Sequence, residues 1–304
     1  MMCSVPSRCR TQRHEYENEH DQSNSSSFSN WFSIAAFEVS SRLPRNGGTL
    51  LFHEDEDDYR VMKAVWTIAK RELGAYFASP VAYVFIVIFL LLTGFFTFMV
   101  GSFFERGIAD LLPFFVWHPW LYLFLVPAVG MRLWSEELRL GTMELLFTMP
   151  VTPWQAILGK FLASWIFILI ALVLTFPIVL TVRYLGRPDM GQILCGYGGS
   201  ILLAGAFLAI ACLTSSLTRN QVISFILSVV ICLFLILCGW PPVTNIVITW
   251  APAWLVDALA GFGVMTHYEG FQRGMIDSRD LFFFLSVIVF FLFTTSVVLR
   301  AHRA

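Results

Sequence analysis

The segment from Ser135 to Lys160, SEELRLGTMELLFTMPVTPWQAILGK, carries acidic side chains suited to binding a partner protein, within a chain that is otherwise apolar. Glu137, Gly141 and Glu144 stand at i, i+4 and i+7, so a helix over this segment would have one acidic face. Gly141-Thr142 weakens that helix and permits a bend. We expect a short helix that displays carboxylates to a partner; the alternative is a surface connector stabilised by its own caps.

The end of the same segment has the pattern of a helix start. Met149-Pro150 ends the acidic helix, and Thr152 then suits an N-cap, with Pro153 at the first helical position and Gln155 two residues later. The next apolar helix therefore begins at about Thr152.

Histidines and carboxylates elsewhere could bind a proton or a cation. His267, Glu269, Asp277 and Asp280 lie within 14 residues of one another, but their spacing matches no known ligand set. A solvated rim is the competing interpretation. His118, next to Pro119, is either a proton or ligand site or a histidine at a helix end.

Other patterns argue against metal and enzyme chemistry. The acidic run His53–Asp58 is typical of a solvated tail, with metal capture as the alternative. None of the six cysteines forms a CxxC pair, so we expect neither a zinc site nor a disulfide framework. The sequence has no HExxH, GxSxG or GxxxxGK[ST] motif, and Gly159-Lys160 lacks the upstream glycine of a phosphate loop.

The composition defines a polytopic, all-α membrane protein. Hydrophobic residues make up 57% of the 304 residues and charged residues only 13%, whereas soluble domains have about 25% charged residues. No basic stripe suggests nucleic-acid binding. The spans are nearly free of charge, which argues against a proton- or sodium-driven transporter.

Six apolar stretches are long enough to cross a bilayer, which takes roughly 20 residues. They cover about residues 81–104, 114–133, 161–182, 192–217, 222–240 and 281–299. Lys and Arg side chains favour a topology with both termini in the cytoplasm, which places Ser135–Lys160 there as well. Pro127 and Pro177 would bend the second and third spans.

Three further segments flank or line these spans. Met62–Ser79 has apolar residues at helical spacing and charged residues on the other side, and Trp66 suits the depth of the lipid headgroups, which predicts an interfacial helix ended by Ser79-Pro80. Ile246–Leu259 predicts short outer or re-entrant helices. Gly196, Ser200 and Ala204 form a stripe of small residues for packing within the subunit or between two subunits.

The first 61 residues differ from the rest in composition. They are rich in Ser, Asn and charge and have no sustained apolar period, so we expect a disordered or mis-annotated extension. Residues 62–304 then form a single transmembrane domain.

Four motifs in this order resemble those of ABC-2 type transporter permeases. They are EELRLGTMELL followed by PVT (136–152), AKREL followed by FASP (69–80), SSLTRNQ (215–221) and HYEGFQRGMID followed by Asp280 (267–280). The resemblance covers Met62 to the C-terminus. Within the family it is most similar to the gliding-motility-associated (GldF-like) permeases.

The resemblance implies four groups of site residues. They are an ATPase-coupling element with Glu136, Glu137, Gly141, Thr142, Glu144, Leu145 and Pro150; an interfacial helix with Trp66, Lys70, Arg71 and Glu72; an inner turn with Thr218, Arg219 and Asn220; and an outer segment with His267, Arg273, Gly274, Asp277 and Asp280.

The resemblance also implies a function. The chain would be the permease of an ABC exporter in the bacterial cytoplasmic (inner) membrane, paired with a second permease as a homodimer or heterodimer. Spans one, two and five would line the substrate path. The chain itself would bind no cofactor, because ATP-Mg would bind in a separate ATPase subunit. The alternative is a membrane anchor in an ATP-driven machine of the gliding or envelope-remodelling type, through which no solute passes.

Overall fold

All regular elements that the structure describes are helices. The structure is a computed structural model that describes residues 53–107, 110–143, 152–248, 259 and 261–301. The helices are α1 (His53–Ala78), α2 (Pro80–Phe95), α3 (Phe103–Arg106), α4 (Leu112–Val116), α5 (His118–Gly130), α6 (Ser135–Leu140), α7 (Pro153–Val173), α8 (Phe176–Leu185), α9 (Met190–Leu217), α10 (Gln221–Gly239), α11 (Pro241–Ile248), α12 (Val264–Gln272) and α13 (Ser278–Ala301). A π-helical turn, Phe96–Val100, extends α2.

Five helical stretches are long and apolar enough to cross a membrane. Each covers one predicted span: Pro80–Arg106, Pro153–Leu185, Met190–Leu217, Gln221–Gly239 and Ser278–Ala301. Ser79 caps the first of them, accepting a hydrogen bond from the backbone N–H of Val81, and Pro80 occupies its first turn. Asn220 caps α10 in the same way through the N–H of Val222.

The second predicted span, 114–133, is not one long helix. It consists of α4 and α5, which are separated at Trp117 beside the His118-Pro119 pair. Pro127 lies inside α5, which continues to Gly130 without a break. The expected bend near Pro177 is a break between α7 and α8, because α7 ends at Val173 and α8 begins at Phe176.

Helix α9 forms the centre of the bundle. Its residues from Leu203 to Cys212 are buried without interruption, and it contacts α5, α7, α10, α12 and α13. The stripe of small residues packs inside this bundle: a Cβ on Gly196 would lie 2.5 Å from Phe115, and the Ser200 hydroxyl lies 2.8 Å from that of Tyr268. The structure therefore shows this stripe in packing within the subunit.

Helix α1 is longer than predicted and packs against α7. It begins at His53, nine residues before the predicted start, because the acidic run favours a helix N-terminus rather than an irregular tail. Tyr76 hydrogen-bonds Ser164 at 2.9 Å and stacks on Phe167. Residues 1–52 of the expected extension (1–61) and most of the expected short outer or re-entrant helices (246–259) lie outside the described residues.

Candidate functional site

A buried lysine connects three helices at one end of the bundle. Lys160, in the second turn of α7, is only 6% exposed. Its Nζ lies 2.8 Å from Oε1 of Glu137 on α6 and 3.5 Å from Oε1 of Glu72 on α1. A buried ammonium group is costly unless it is paired, and here two carboxylates pair with it. We call Lys160, Glu137 and Glu72 the Lys160 cluster.

Aromatic groups enclose the Lys160 cluster. The Lys160 Nζ lies 5.4 Å from the centre of the Trp134 ring, within the range of a cation–π contact. The indole Nε1 of Trp134 donates to the Sγ atom of Cys212 on α9, at 3.2 Å. Burial raises the pKa of Tyr76, whose hydroxyl group binds Ser164 one turn after Lys160. Tyr76 therefore stays neutral beside the cluster.

A serine on α9 fixes the start of α6. The Oγ atom of Ser215 accepts hydrogen bonds from the backbone N–H groups of Trp134, at 2.9 Å, and of Ser135, at 3.0 Å. The same hydroxyl donates to the carbonyl of Met131 at 2.9 Å, and the Ser135 hydroxyl also donates to that carbonyl. The turn before α6 is thereby held to the central helix of the bundle.

The acidic helix is shorter than the sequence pattern suggests. Helix α6 ends at Leu140, and Gly141 follows in the left-handed region with φ of 70°, which favours glycine. The predicted bend at Gly141-Thr142 is therefore confirmed. The acidic face through Glu137 and Glu144 stays a prediction, because Glu144 lies outside the described residues.

Glu137 does not display its carboxylate to a partner, because Lys160 binds it inside the protein. Its second oxygen, Oε2, is buried without a hydrogen-bond partner within the described part of the chain. Glu136 and Thr142 are half-buried. Glu144, Leu145 and Pro150, the remaining predicted coupling residues, lie outside the described residues.

The predicted start of the following helix is confirmed. Thr152 and Gln155 form a capping box, in which the Gln155 carboxamide oxygen accepts from the Thr152 N–H at 2.9 Å. Pro153 is the first residue of α7. This cap places Lys160 two turns into α7, facing both α1 and α6.

The interfacial residues on α1 occupy different environments. Glu72 belongs to the Lys160 cluster, whereas Trp66 is 59% exposed and Lys70 is also exposed. Arg71 is half-buried. The two helices approach closely here, because a Cβ on Gly159 would lie 2.7 Å from the Ile68 side chain.

The inner-turn residues make local contacts between α9 and α10. The Thr218 hydroxyl donates to the carbonyl of Asn220 at 3.2 Å, and Asn220 caps α10. Arg219 between them is exposed.

The outer-segment residues separate into two pairs instead of converging on a cation. His267 Nδ1 lies 2.7 Å from Oδ1 of Asp280, and Arg273 donates to Glu269 at 3.1 Å. Asp277 accepts from the backbone N–H of Arg279 at the start of α13. The expectation of a solvated rim is wrong for His267, which is buried between α12 and α13.

One glycine and one histidine remain among the candidate residues of the sequence analysis. Gly274 adopts φ of 81° in the turn after α12, a conformation that favours glycine. His118 is buried at the start of α5, where its Nδ1 lies 2.8 Å from the Phe114 carbonyl.

Our sequence reasoning missed the most densely paired residue of the site. Lys160 is absent from the predicted site residues, because its local pattern, Gly159-Lys160, shows only that a phosphate loop is missing. The available signal was an ionisable residue at the edge of a long apolar run, which marks a functional position by default. Trp134, Cys212 and Ser215 gave no local signal of their contacts.

The fold and these buried charges define a multi-pass helical membrane protein. The family model described as ABC-2 family transporter protein matches residues 96–252, just over half of the 304 residues, and the chain belongs to that family. The match includes α5, α6, Lys160 and all of α9 and α10. No curated protein matches the chain. The chain is accordingly an ABC transporter permease, and its family functions with an ABC ATPase subunit.

Proposed function

We propose that this chain is the permease of an ABC exporter and that the segment from Glu136 to Pro150 binds a separate ATPase subunit. ATP-Mg binds and is hydrolysed in that subunit, and a second permease completes the complex. The observation that carries the proposal is the Lys160 cluster, because it ties α6 to α1 and α7 through buried charges.

The contacts suggest how movement at α6 reaches the spans. A displacement of α6 acts on Lys160 through Glu137, and Lys160 lies within the stretch Pro153–Leu185. Glu72 carries the same displacement to α1, which is followed directly by the stretch that begins at Pro80. Ser215 connects the turn before α6 to α9. Three spanning stretches are thus linked to one short helix.

The proposed topology has six spans, with both termini in the bacterial cytoplasm. Helices α4 and α5 together cover 112–130 apart from Trp117, about 27 Å at the rise of an α-helix, which approaches the thickness of the bilayer core. They form the second span. Helix α1 then lies at the cytoplasmic interface, with its exposed Trp66 at headgroup depth.

A second candidate is a membrane anchor in an ATP-driven machine of the gliding type. The resemblance of the four motifs to gliding-motility-associated permeases supports it. The same Lys160 cluster would then transmit force to a partner protein. Reconstitution of the permease with its ATPase separates the two: hydrolysis stimulated by a small amphipathic substrate favours export, and hydrolysis dependent on a partner protein favours anchoring.

Docking is tested by charge reversal at positions that the Lys160 cluster does not use. We expect Glu136→Lys and Glu144→Lys together to reduce co-purification of the ATPase subunit at least about tenfold, a typical cost of like charge at a docking surface. Glu269→Lys, in the exposed pair with Arg273, is the matched control. Unchanged co-purification in the double variant would exclude this segment as the docking element.

A further inference from the structure

We propose that His118 and Tyr122 on α5 form a buried binding site for the hydroxyl group of an uncharged amphipathic molecule. The two residues stand one helical turn apart, at i and i+4, so they lie on the same face of α5. Their ring centres are 5.2 Å apart and the planes meet at 82°. Both side chains are buried. The proposal deepens the proposed function and rests on it, because it names the kind of molecule that the exporter would carry.

One polar atom of each residue has no hydrogen-bond partner within the described part of the chain. These atoms are Nε2 of His118 and the hydroxyl oxygen of Tyr122. An unpaired polar group is costly inside a protein, and inside a bilayer no water takes the place of the missing partner. Two such atoms on one face of a single helical turn point to a ligand that pairs with both.

Other tyrosines inside the bundle have their hydroxyl groups paired. The Tyr197 hydroxyl lies 2.9 Å from that of Thr175, and the Tyr268 hydroxyl lies 2.8 Å from that of Ser200. The unpaired hydroxyl of Tyr122 is therefore a local feature of α5 and not a general property of the bundle.

The site lies directly after the break in the second predicted span. Helix α4 ends at Val116 and α5 begins at His118. Pro119 has no N–H group to donate to the carbonyl of Phe115, and the Gln272 carboxamide reaches that carbonyl instead, at 3.5 Å. Broken helices inside membranes occur where the backbone is buried in protein or lines a polar cavity. The break therefore marks a level of this span at which polar groups are accommodated.

The hydrogen bond of His118 defines the chemistry of the ligand. Its Nδ1 lies 2.8 Å from the carbonyl oxygen of Phe114, which can only accept, so Nδ1 carries a proton. Among the contacts that the structure gives, no carboxylate faces His118, and an unpaired buried imidazolium would be costly, so Nε2 is an acceptor. A ligand hydroxyl group fits both unpaired atoms, because it donates its proton to Nε2 and accepts the proton of the Tyr122 hydroxyl.

The surroundings suit an apolar body attached to that hydroxyl group. The Phe89 ring on α2 lies 6.0 Å from the Tyr122 ring and 6.5 Å from the His118 ring, measured between centres. The Phe114 ring lies 4.4 Å from His118. No ion pair or hydrogen bond of the described residues brings a charged side chain to this site. These aromatic faces therefore favour an alcohol over a phosphate or a carboxylate.

Photolabelling of the full-length permease in lipid nanodiscs, without an ATPase subunit, tests the site. The probe is a benzyl alcohol that carries a trifluoromethyl-diazirine group. Two matched probes replace its hydroxymethyl group by methyl or by aminomethyl, which is an ammonium group at neutral pH. Mass spectrometry of peptides within residues 80–130 should show at least about tenfold more labelling by the alcohol than by the methyl probe, as expected for two added hydrogen bonds. Excess unlabelled benzyl alcohol should suppress this labelling.

Variants assign the labelling to the two residues. Tyr122→Phe and His118→Asn should each reduce labelling by the alcohol about fivefold, the value of one hydrogen bond. The asparagine keeps a donor near the position of Nδ1 and has no counterpart of Nε2. Tyr197→Phe is the matched control and should label as the natural protein does, because its hydroxyl group pairs with Thr175.

Thermal unfolding separates loss of binding from loss of folding. Tyr122→Phe removes an unpaired buried hydroxyl group, so its unfolding midpoint without probe should not fall. A lower midpoint would show that the hydroxyl group already has a partner, and it would overturn the proposal.

Three labelling results would also overturn the proposal: equal labelling by the alcohol and methyl probes, stronger labelling by the ammonium probe, or natural labelling in both Tyr122→Phe and His118→Asn. None of these measurements involves the ATPase subunit. Their failure would therefore leave the docking of that subunit untouched, and failure of docking would leave this site untouched.

Discussion

At the scale of single residues, the arrangement around Lys160 explains why a charge lies inside this apolar bundle. The Lys160 side chain is 8% exposed, whereas those of Glu72 and Glu137 are 24% and 25% exposed. The two glutamate side chains therefore keep some contact with water, although Oε2 of Glu137 is buried, while the ammonium group depends on both carboxylates. Removing a carboxylate and removing the ammonium group therefore affect stability differently. Loss of a carboxylate leaves a buried charge unpaired, which costs more than the absence of that charge.

Glu137→Gln should destabilise the protein more than the double variant Glu137→Gln with Lys160→Met does. The single change leaves the buried ammonium with only the longer contact to Glu72, and we expect a loss of roughly 2 kcal/mol, below the range for fully buried pairs because Glu137 is partly exposed. The double variant should recover at least half. Thermal unfolding in detergent measures both; a double variant less stable than the single one would contradict this account of the charges.

Ser215→Ala should weaken the attachment of α6 to α9. It leaves two buried backbone N–H groups, those of Trp134 and Ser135, without the acceptor they share, and we expect a cost of about 2 kcal/mol. Ser216→Ala is the matched control, because the Ser216 hydroxyl binds a carbonyl of its own helix. Equal thermal unfolding midpoints for the two variants would show that this attachment contributes little.

At the scale of elements, the contact between α1 and α7 determines whether the interfacial helix moves with the bundle. The helices cross at Gly159, where the Ile68 side chain occupies the space that a Cβ would need. The cluster and the Tyr76–Ser164 hydrogen bond lie on the same side of this crossing. A larger residue at the crossing separates the two helices and lengthens the Lys160–Glu72 contact.

Gly159→Ala should loosen α1 while leaving the other helices packed. The added methyl group must displace Ile68, and we expect a cost of about 1–3 kcal/mol, as for other overpacked sites. Hydrogen exchange of peptides within residues 61–78 should become faster. Gly198→Ala is the control, since nothing lies within 4 Å of a Cβ built there. Identical protection of residues 61–78 in both variants would show that Gly159 does not set this contact.

At the scale of the whole molecule, local sequence patterns and long-range contacts were unequally predictable. The capping box at Thr152, the bend at Gly141 and five spanning helices follow from neighbouring residues, so the sequence indicated them. In the Lys160 cluster, Lys160 and Glu72 are 88 positions apart in the sequence, and Ser215 is 81 positions from Trp134, whose N–H group it binds. No short-range pattern encodes such contacts. Glu137 likewise pairs with a lysine on another helix, a contact that its neighbours in the sequence do not indicate.

The start of α7 and the His267–Asp280 pair differ in their level along α13. Trp154, near the start of α7, packs beside Phe293 in the second half of α13, whereas Asp280 lies in its first turn. Phe293 and Asp280 are 13 residues apart on α13, about 20 Å at the rise of an α-helix, so Trp154 and the His267–Asp280 pair lie at different levels of the bundle.

The central claim is that Lys160 transmits the movement of a bound ATPase subunit to the spans. The most direct measurement is ATP hydrolysis by the reconstituted complex, compared between the natural permease and Lys160→Met at matched ATPase content. We expect the ATPase to co-purify within about twofold of the natural amount, while stimulation of hydrolysis by the permease falls about tenfold, within the usual range of coupling free energies. Natural binding together with natural stimulation in Lys160→Met would contradict the claim.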